Sequence, residues 1–580
     1  MKILLVHPDD SVEAGAWAET QWDLAVDLGW SGRHAYARQT ERLGFLVLSI
    51  YDLLEHEQQR RQMRDILALG LDKLLDSESV DWWDAFCAYL YPQIEQLLLF
   101  SATAEQIPEH AEILATRPHP SLDALSIVLN RPIKTFAIHR QTAFQERSRR
   151  YWKAAFAFRS AQLAEIAFDK WDTDYRLRRH FVRPPRASST PAILLPSAYS
   201  NVTRAQAAYA RMLPHRRFLL VLTRRNGRIQ HLPGNVEPRW LASYAPRHLA
   251  ATDEERVRLL GRWQSLQNNL FETNRVLSLA KKLGIFDPFA DFLKSGLGVR
   301  DAWREVFARE PIAAVLSADE NNPYTRMPIL LARSKKLRTV FCDHGALNMS
   351  FGIRPPVSDT YLMKGDMARD YGVTWCGLPT SKIVVGGPAE TRNPSPFSNR
   401  VENKENARDW IVYYSEVYEL SGGRTQTVYA ELLPELCQLA RQTNRKVVVK
   451  LHPFENLRMR SKLVDCLLSP EDRCLVTLRE GPMTPDLFAR AWCSLTVESS
   501  VAVESTLHGV PCFLCGWFDG SWYDYGKQFA KYSAGYPLDS PQRIREIPQL
   551  LENFHITDAV RQGLQTSITA ELLESVLSGK

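Results

Sequence analysis

The chain has few cysteines and none in close pairs. Its nine cysteines are scattered through 580 residues without a CxxC spacing, which argues against both a disulfide scaffold and a zinc ribbon. No apolar run reaches the roughly 18 residues that suggest a membrane-spanning helix. The N-terminus enters an apolar strand pattern directly, without the layout of a signal peptide. The Walker spacing of a phosphate-binding loop is missing, as are internal repeats and extended low-complexity tracts. Net charge is only +6, too small for this length to imply a nucleic-acid partner. The arginine clusters Arg147-Ser148-Arg149-Arg150 and Arg176-Leu177-Arg178-Arg179 read as solvated faces, with attachment to an anionic glycan or membrane surface as the weaker alternative.

What is present is ordinary globular material, 45% apolar and 24% charged. The length is too great for one core and implies two or three domains. Short β-branched runs alternate with helical periodicity, the pattern of an α/β protein with parallel sheets. Strands are expected at Ile3 to Val6, Gly44 to Ile50, Ile113 to Ala115, Ala192 to Leu195, Phe218 to Leu222, Pro311 to Leu316 and Arg338 to Cys342. Further strands are expected at Trp410 to Tyr414, from Val447, at Cys474 to Leu478 and at Pro511 to Cys515. The aromatic stripe Trp82, Trp83, Phe86, Tyr89 and Leu90 has helical spacing and reads as core rather than as a sugar platform. Glu254 to Leu283 is the longest helical pattern and ends at Gly284. The polar run 394–408 is the best linker between an N-terminal domain, 1–393, and a C-terminal one, 409–580.

Polar groups cluster where strands end and helices begin, and ligands of open α/β sheets bind there. After the first strand come His7-Pro8-Asp9-Asp10, then Glu13 and Glu19, so that Asp10 either caps a helix or faces a crevice. This opening resembles that of zinc-dependent sugar deacetylases. Ser11 stands where an acid is usual there, however, and no downstream HxxH supplies the three ligands a zinc site needs. Tyr199, Asn201 and Arg204 surround a helix start suited to an anion or a sugar hydroxyl, with simple capping as the alternative. Asp319 and Glu320 follow another strand and are candidates for a cleft or for capping. His344 lies in the loop Asp343-His344-Gly345. Ser421-Gly422-Gly423-Arg424 follows the strand at Trp410 and is either a phosphate cradle or a plain loop.

The stretch from Val447 to Glu504 organises the rest. Val447 to Lys450 runs into Leu451-His452-Pro453, and Ser499-Ser500 later opens a helix that carries Glu504. The pair "KLHP" and "SSVAVES" resembles the nucleotide-binding half of glycosyltransferases of GT-B architecture, among them the Kdo and sialic acid transferases of capsule assembly and the CDP-glycerol glycerophosphotransferases. "TVFCDHG", "SDTYLMKGDMARDYG" and "SKIVVGGP" are similar to the same group's run from a histidine-glycine loop into the interdomain segment. The resemblance covers about residues 310 to 540. It implies an α/β fold of two facing Rossmann-like domains, the N-terminal one on the acceptor side and enlarged by helical insertions. His452, Pro453, Ser499, Ser500 and Glu504 match the nucleotide-binding motif residues.

Transfer from a nucleotide sugar requires stabilising charge on the departing nucleotide and removing a proton from the acceptor hydroxyl. Lys450, His452, the helix start at Ser499-Ser500 and Arg424 are expected to meet the first need without a metal or other cofactor. Asp319, Glu320, His344 and Asp10 compete for the second, with Asp319 preferred. The expected activity is inverting, metal-independent transfer from a CMP-sugar such as CMP-Kdo or CMP-sialic acid to a surface glycan or glycolipid. Alternatives are a UDP-sugar transferase, a UDP-HexNAc 2-epimerase-like enzyme, and an inactive scaffold that binds glycan or nucleotide. The expected location is the cytoplasm, with peripheral contact at the inner membrane as a further alternative and no nucleic-acid partner.

Overall fold

The computed structural model describes the chain except residues 9, 14, 16, 32, 119, 137–188, 246–249, 349–351, 389–407, 419–423, 519–521 and 580. Both arginine clusters, all but the last residue of the linker 394–408, Asp9 and Ser421-Gly422-Gly423 lie outside the described residues. Three sheets form, and every pairing between their strands is parallel.

The first sheet comprises β1 (Lys2–Val6), β2 (Leu24–Asp27), β3 (Leu46–Ser49), β4 (Glu112–Ala115) and β5 (Lys134–Thr135), in the order β3-β2-β1-β4-β5. The second comprises β6 (Ala192–Ser197), β7 (Arg217–Leu222), β8 (Val236–Trp240), β9 (Ile312–Ser317), β10 (Arg338–Cys342), β11 (Thr360–Met363) and β12 (Ile383–Val385), in the order β12-β11-β10-β9-β6-β7-β8. The third comprises β13 (Trp410–Tyr414), β14 (Lys446–Lys450), β15 (Val476–Arg479), β16 (Ala491–Thr496), β17 (Cys512–Cys515) and β18 (Tyr536–Leu538), in the order β15-β14-β13-β16-β17-β18. All three are Rossmann-like, winding outward in both directions from a central pair of strands. The α/β class and the helical insertions expected in the N-terminal part are both present. Residues 1–393 hold two parallel sheets where a single enlarged domain was expected.

The chain divides into two compact units, each assembled from separate stretches of sequence. One comprises Met1–Glu57, Leu99–His139 and Thr391–Leu564, and so contains the first and third sheets. Trp30, from the loop after β2, is buried in the core of the third sheet, edge-on to Tyr418 at 6.1 Å and near Phe518 at 6.4 Å. The second unit comprises Gln58–Leu98, Arg140–Glu390 and Gln565–Lys580. Its core joins the second sheet to the helix Ala570–Ser578, which buries Leu573, Val576 and Leu577. The last residues, placed by sequence with 409–580, therefore fold with the second sheet, because their apolar stripe finds its partner there.

Trp82, Trp83, Phe86, Tyr89 and Leu90 are buried, as their spacing predicts. They pack on the helices Ala250–Thr273 and Phe289–Arg309, with Phe86 5.1 Å from Phe289 and Trp83 6.0 Å from Trp263. The long helix expected from Glu254 to Leu283 is interrupted. Asn274 leaves helical geometry, and its side chain accepts from the Val276 and Leu277 amides to start a new helix, Arg275–Lys282. Gly284, at φ 69°, follows that second helix.

Candidate functional site

In the third sheet, β13 lies between β14 and β16, so the winding reverses between β13 and β16. The carboxyl ends of those strands form the crevice where a ligand of such a sheet binds. Ser415 and Glu416 follow β13, while Glu498, Ser499 and Ser500 follow β16. Lys450 and His452 stand at the end of the neighbouring β14. The structure thus brings Lys450, His452, Pro453, Ser499 and Ser500 to one edge of one sheet.

Two carboxylates that the sequence analysis did not single out hold this edge in shape. Glu455 Oε2 accepts from the His452 amide at 2.7 Å, and Oε1 accepts from the Ser415 hydroxyl at 2.9 Å and Arg460 Nε at 2.7 Å. Glu416 Oε1 accepts from the Glu498 amide at 2.8 Å and the Thr496 hydroxyl at 3.0 Å. Burial pushes the Glu416 carboxyl above the usual range, against the pull of those donors. Their sequence signals are an acid two residues after Pro453 and an acid just past the central strand.

His452 Nδ1 accepts from the Phe454 amide at 3.2 Å, so a neutral ring carries its proton on Nε2 and presents a donor there. Burial holds its pKa below the ordinary value, with Lys450 acting in the same direction and Glu455 opposing. Lys450 is buried and donates to the Leu451 carbonyl at 2.6 Å. Desolvation lowers its pKa too, with Glu455 opposing. Pro453 is exposed. Ser499 Oγ accepts from the Val501 amide at 3.4 Å, and Ser500 is the N-cap of the helix Val501–Leu507 without a side-chain capping bond. Glu504 is on the exposed face of that helix, close enough to Tyr414 to raise its pKa.

Arg424 is placed differently from the phosphate cradle expected for it. Its guanidinium is paired with Asp27 and donates to the carbonyls of His7, at 2.9 Å, and Asp10. Asp10 is buried and paired with Arg117, whose Nε donates to Oδ2 at 2.8 Å. Both residues thus bind the chain to itself at the carboxyl ends of β1 and β2.

In the second sheet the winding reverses between β6 and β9. Gln206 clamps these strands by donating to Pro196 O at 2.9 Å and Leu316 O at 3.1 Å. Tyr199 is the N-cap residue of the helix Ser200–Met212, and its hydroxyl accepts from Arg224 Nη1 at 2.7 Å. Asn201 and Arg204 are exposed on that helix. Asp319 is buried, and its Oδ1 accepts from the amides of Asn321 at 2.9 Å and Asn322 at 3.2 Å, which shapes the turn ahead of the helix Pro323–Ser334. Asn322, and not Asp319, caps that helix by accepting from the Tyr324 amide at 2.9 Å. Glu320 is buried against Ser358, Tyr361 and Arg326, and burial raises its pKa. It belongs to an interior charge cluster in which Arg326 Nε bonds Asp84 at 2.5 Å and Arg354 lies 3.6 Å from Asp84. His344 is half-buried at the end of β10, with Nδ1 hydrogen-bonded to the Ala318 carbonyl. That bond puts the ring proton on Nδ1 and leaves Nε2 as the basic nitrogen.

Among the described residues, no group of three histidine, cysteine, aspartate or glutamate side chains is arranged to hold a metal ion. Nor is any helix long and apolar enough to cross a membrane. No protein-family model matches the chain, and no curated protein does. Solved structures are similar at low identity. UDP-GlcNAc 2-epimerase from Methanocaldococcus jannaschii is 13% identical over 67% of this chain and 100% of its own, with a TM-score of 0.44. The Neisseria meningitidis UDP-GlcNAc 2-epimerase bound to UDP-GlcNAc is 13% identical over 67% of this chain and 97% of its own, at 0.37. The wall teichoic acid polymerase TagF, in a variant soaked with CDPG, is 10% identical over 72% of this chain and 96% of its own, at 0.39. These are partial likenesses at low identity, and the functional reading rests on the chain's own residues.

Proposed function

We propose that the protein is a glycosyltransferase that moves a sugar from a nucleotide donor to a glycan acceptor, with the third sheet and its loops supplying the donor nucleotide's binding surface. The observation that carries this reading is the group Lys450, His452, Ser499 and Ser500 at the crevice of the third sheet, held in shape by Glu455 and Glu416. The His452 Nε2–H, the Lys450 ammonium and the Ser500 hydroxyl, which makes no capping bond, offer donors to a phosphate. In the transfer step the acceptor oxygen bonds to the sugar carbon as the bond from that carbon to the phosphate oxygen breaks. The phosphate keeps the electron pair, and a base takes the acceptor's proton. A single phosphate needs less charge neutralisation than a diphosphate, so the small cation count favours a CMP-sugar, such as CMP-Kdo or CMP-sialic acid. Of the four residues expected as base, Asp10 is engaged by Arg117 and Glu320 by Ser358 and Tyr361, while the Nδ1 bond of His344 leaves its Nε2 as the proton-accepting nitrogen.

Calorimetric titration of CMP, CDP, UMP and UDP, with and without magnesium, into the wild type and His452→Ala tests the reading. Cytidine nucleotide binding that disappears in His452→Ala is the expected result. Preference for UDP keeps the site but redirects the donor to a UDP-sugar, for a transferase or a UDP-HexNAc 2-epimerase. Binding of none of the four removes the transferase reading and leaves the two-unit scaffold.

A further inference from the structure

Asp343 is the first residue after β10 and is only 3% exposed. Its Oδ2 is buried with no hydrogen-bond partner among the described residues. Burial raises its pKa to about 7, although the Lys364 ammonium pulls the other way. Lys364 does not close the gap, since its Nζ donates to the Gly345 carbonyl at 2.8 Å. His344, next in sequence, has turned Nδ1 to Ala318.

Four further buried carboxyls of this unit set the contrast. Asp84 is bonded to Arg326, Glu320 to Ser358 and Tyr361, Asp319 to two amides, and Glu310 to Arg217 at 2.9 Å and Tyr244 at 3.1 Å. Leaving a buried acceptor unpaired is costly, more so when it is charged, and such an atom in a folded protein calls for an explanation. Asp343 also stands where function is expected, at the carboxyl end of a parallel strand beside the pair where the winding reverses.

We propose that Asp343 is a substrate-binding carboxyl that accepts a hydrogen bond from a hydroxyl of a sugar seated at the carboxyl edge of the second sheet. The ligand class follows from the neighbours. An ionised carboxylate repels an anion, the Lys364 ammonium beside it disfavours a cation, and a neutral hydroxyl supplies the missing donor. The inference rests on the sugar-handling half of the proposed function and not on the identity of the nucleotide.

The test is saturation-transfer NMR on the full chain with free glycerol, glucose, galactose, N-acetylglucosamine and Kdo as probes. Wild type, Asp343→Leu and Asp343→Asn are compared, with a thermal melt of each as the folding control. At least one probe is expected to receive saturation from the wild type. Its affinity should fall about tenfold in Asp343→Leu, as loss of a hydrogen bond to a charged group implies, and recover in part in Asp343→Asn, which keeps an acceptor oxygen. Transfer to none of the probes, or equal affinity in wild type and Asp343→Leu, overturns the proposal and assigns Oδ2 to an internal water. If Asp343→Leu does not fold, Asp343→Ala takes its place, and an affinity there equal to the wild type's overturns the proposal. Sugar binding through Asp343 in a protein that binds no nucleotide would sink the transferase reading and leave this inference standing.

Discussion

Arg424 and Asp27, 397 residues apart in sequence, form a part-buried ion pair at the carboxyl ends of β1 and β2, with Asp27 the buried member. Asp27 also accepts from the Gly29 amide at 2.8 Å and the Tyr36 hydroxyl at 3.0 Å, and burial raises its pKa to about 6 despite these donors. Removing one member of such a pair leaves a buried charge without compensation, at a cost of about 3–5 kcal/mol. Asp27→Ala and Arg424→Ala should therefore each lower the unfolding transition sharply in urea, with nucleotide affinity unchanged in the fraction that folds. A phosphate-binding Arg424 would give the reverse, an unaltered transition and a lost nucleotide.

Glu455 offers a test of how the nucleotide edge is held. Its carboxylate connects the His452 amide, Ser415 and Arg460, and the side chain is fully buried. Glu455→Gln keeps the shape but weakens each bond, letting the turn at His452 and Pro453 relax. Nucleotide affinity by calorimetry should drop about tenfold, equivalent to about 1.4 kcal/mol, while inorganic phosphate in bulk solvent serves as the control titrant. Unchanged affinity would confine Glu455 to the fold.

Stability against pH reports on Asp343 independently of any ligand. Its pKa stands at about 7 in the fold against an ordinary 3.8, so the folded state binds the proton more tightly. The associated stability is fully present below about pH 4 and is lost as pH rises through 7. Asp343→Leu removes the titration, so its urea midpoint should gain on the wild type between pH 5 and pH 8, by at most a few kcal/mol. Parallel curves for the two proteins would show that Asp343 is paired in solution.

The helical insertion makes a packing prediction. A methyl group added at Gly296 would meet the Trp82 ring at 2.3 Å, too close for any carbon contact. Gly296→Ala should destabilise the second unit by about 1–3 kcal/mol despite the better helix former, because the buried ring must shift to admit the methyl. Adding Trp82→Phe, which shortens the ring, should recover part of the loss. Additive effects in the double variant would count against a direct clash.

Some of this molecule was legible from local pattern. Arg338–Cys342 and Trp410–Tyr414 form strands at the expected bounds because each is a compact apolar run with polar residues beyond it. The stripe from Trp82 to Leu90 is core for the same reason, its spacing matching one helix face. Strands β2, β5, β8, β11, β12, β16 and β18 were not foreseen. Of these, β2, β5, β11, β12 and β18 have too few residues for periodicity to distinguish strand from loop, while β8 carries Pro and charged residues and β16 mixes Ser, Thr and Trp, so neither reads as an apolar run. Asn274 was hidden within a helical pattern because the apolar spacing continues across it, and only the geometry shows its side chain capping a second helix.

The α/β class, the parallel strands and the position of Lys450, His452, Ser499 and Ser500 at strand ends could be read from the residues alone, because they follow from local periodicity and from the rule that ligands sit at such ends. Tertiary structure alone decided which charged groups remain for chemistry. Arg424 is engaged by Asp27, Asp10 by Arg117, and Glu320 by Ser358 and Tyr361, while Asp343 keeps an unpaired oxygen. In an isolated sequence each of these is simply a charged side chain. Its burial, and the presence or absence of a partner from a distant stretch of chain, sets its cost and its proton affinity, and neither is encoded in the residues beside it.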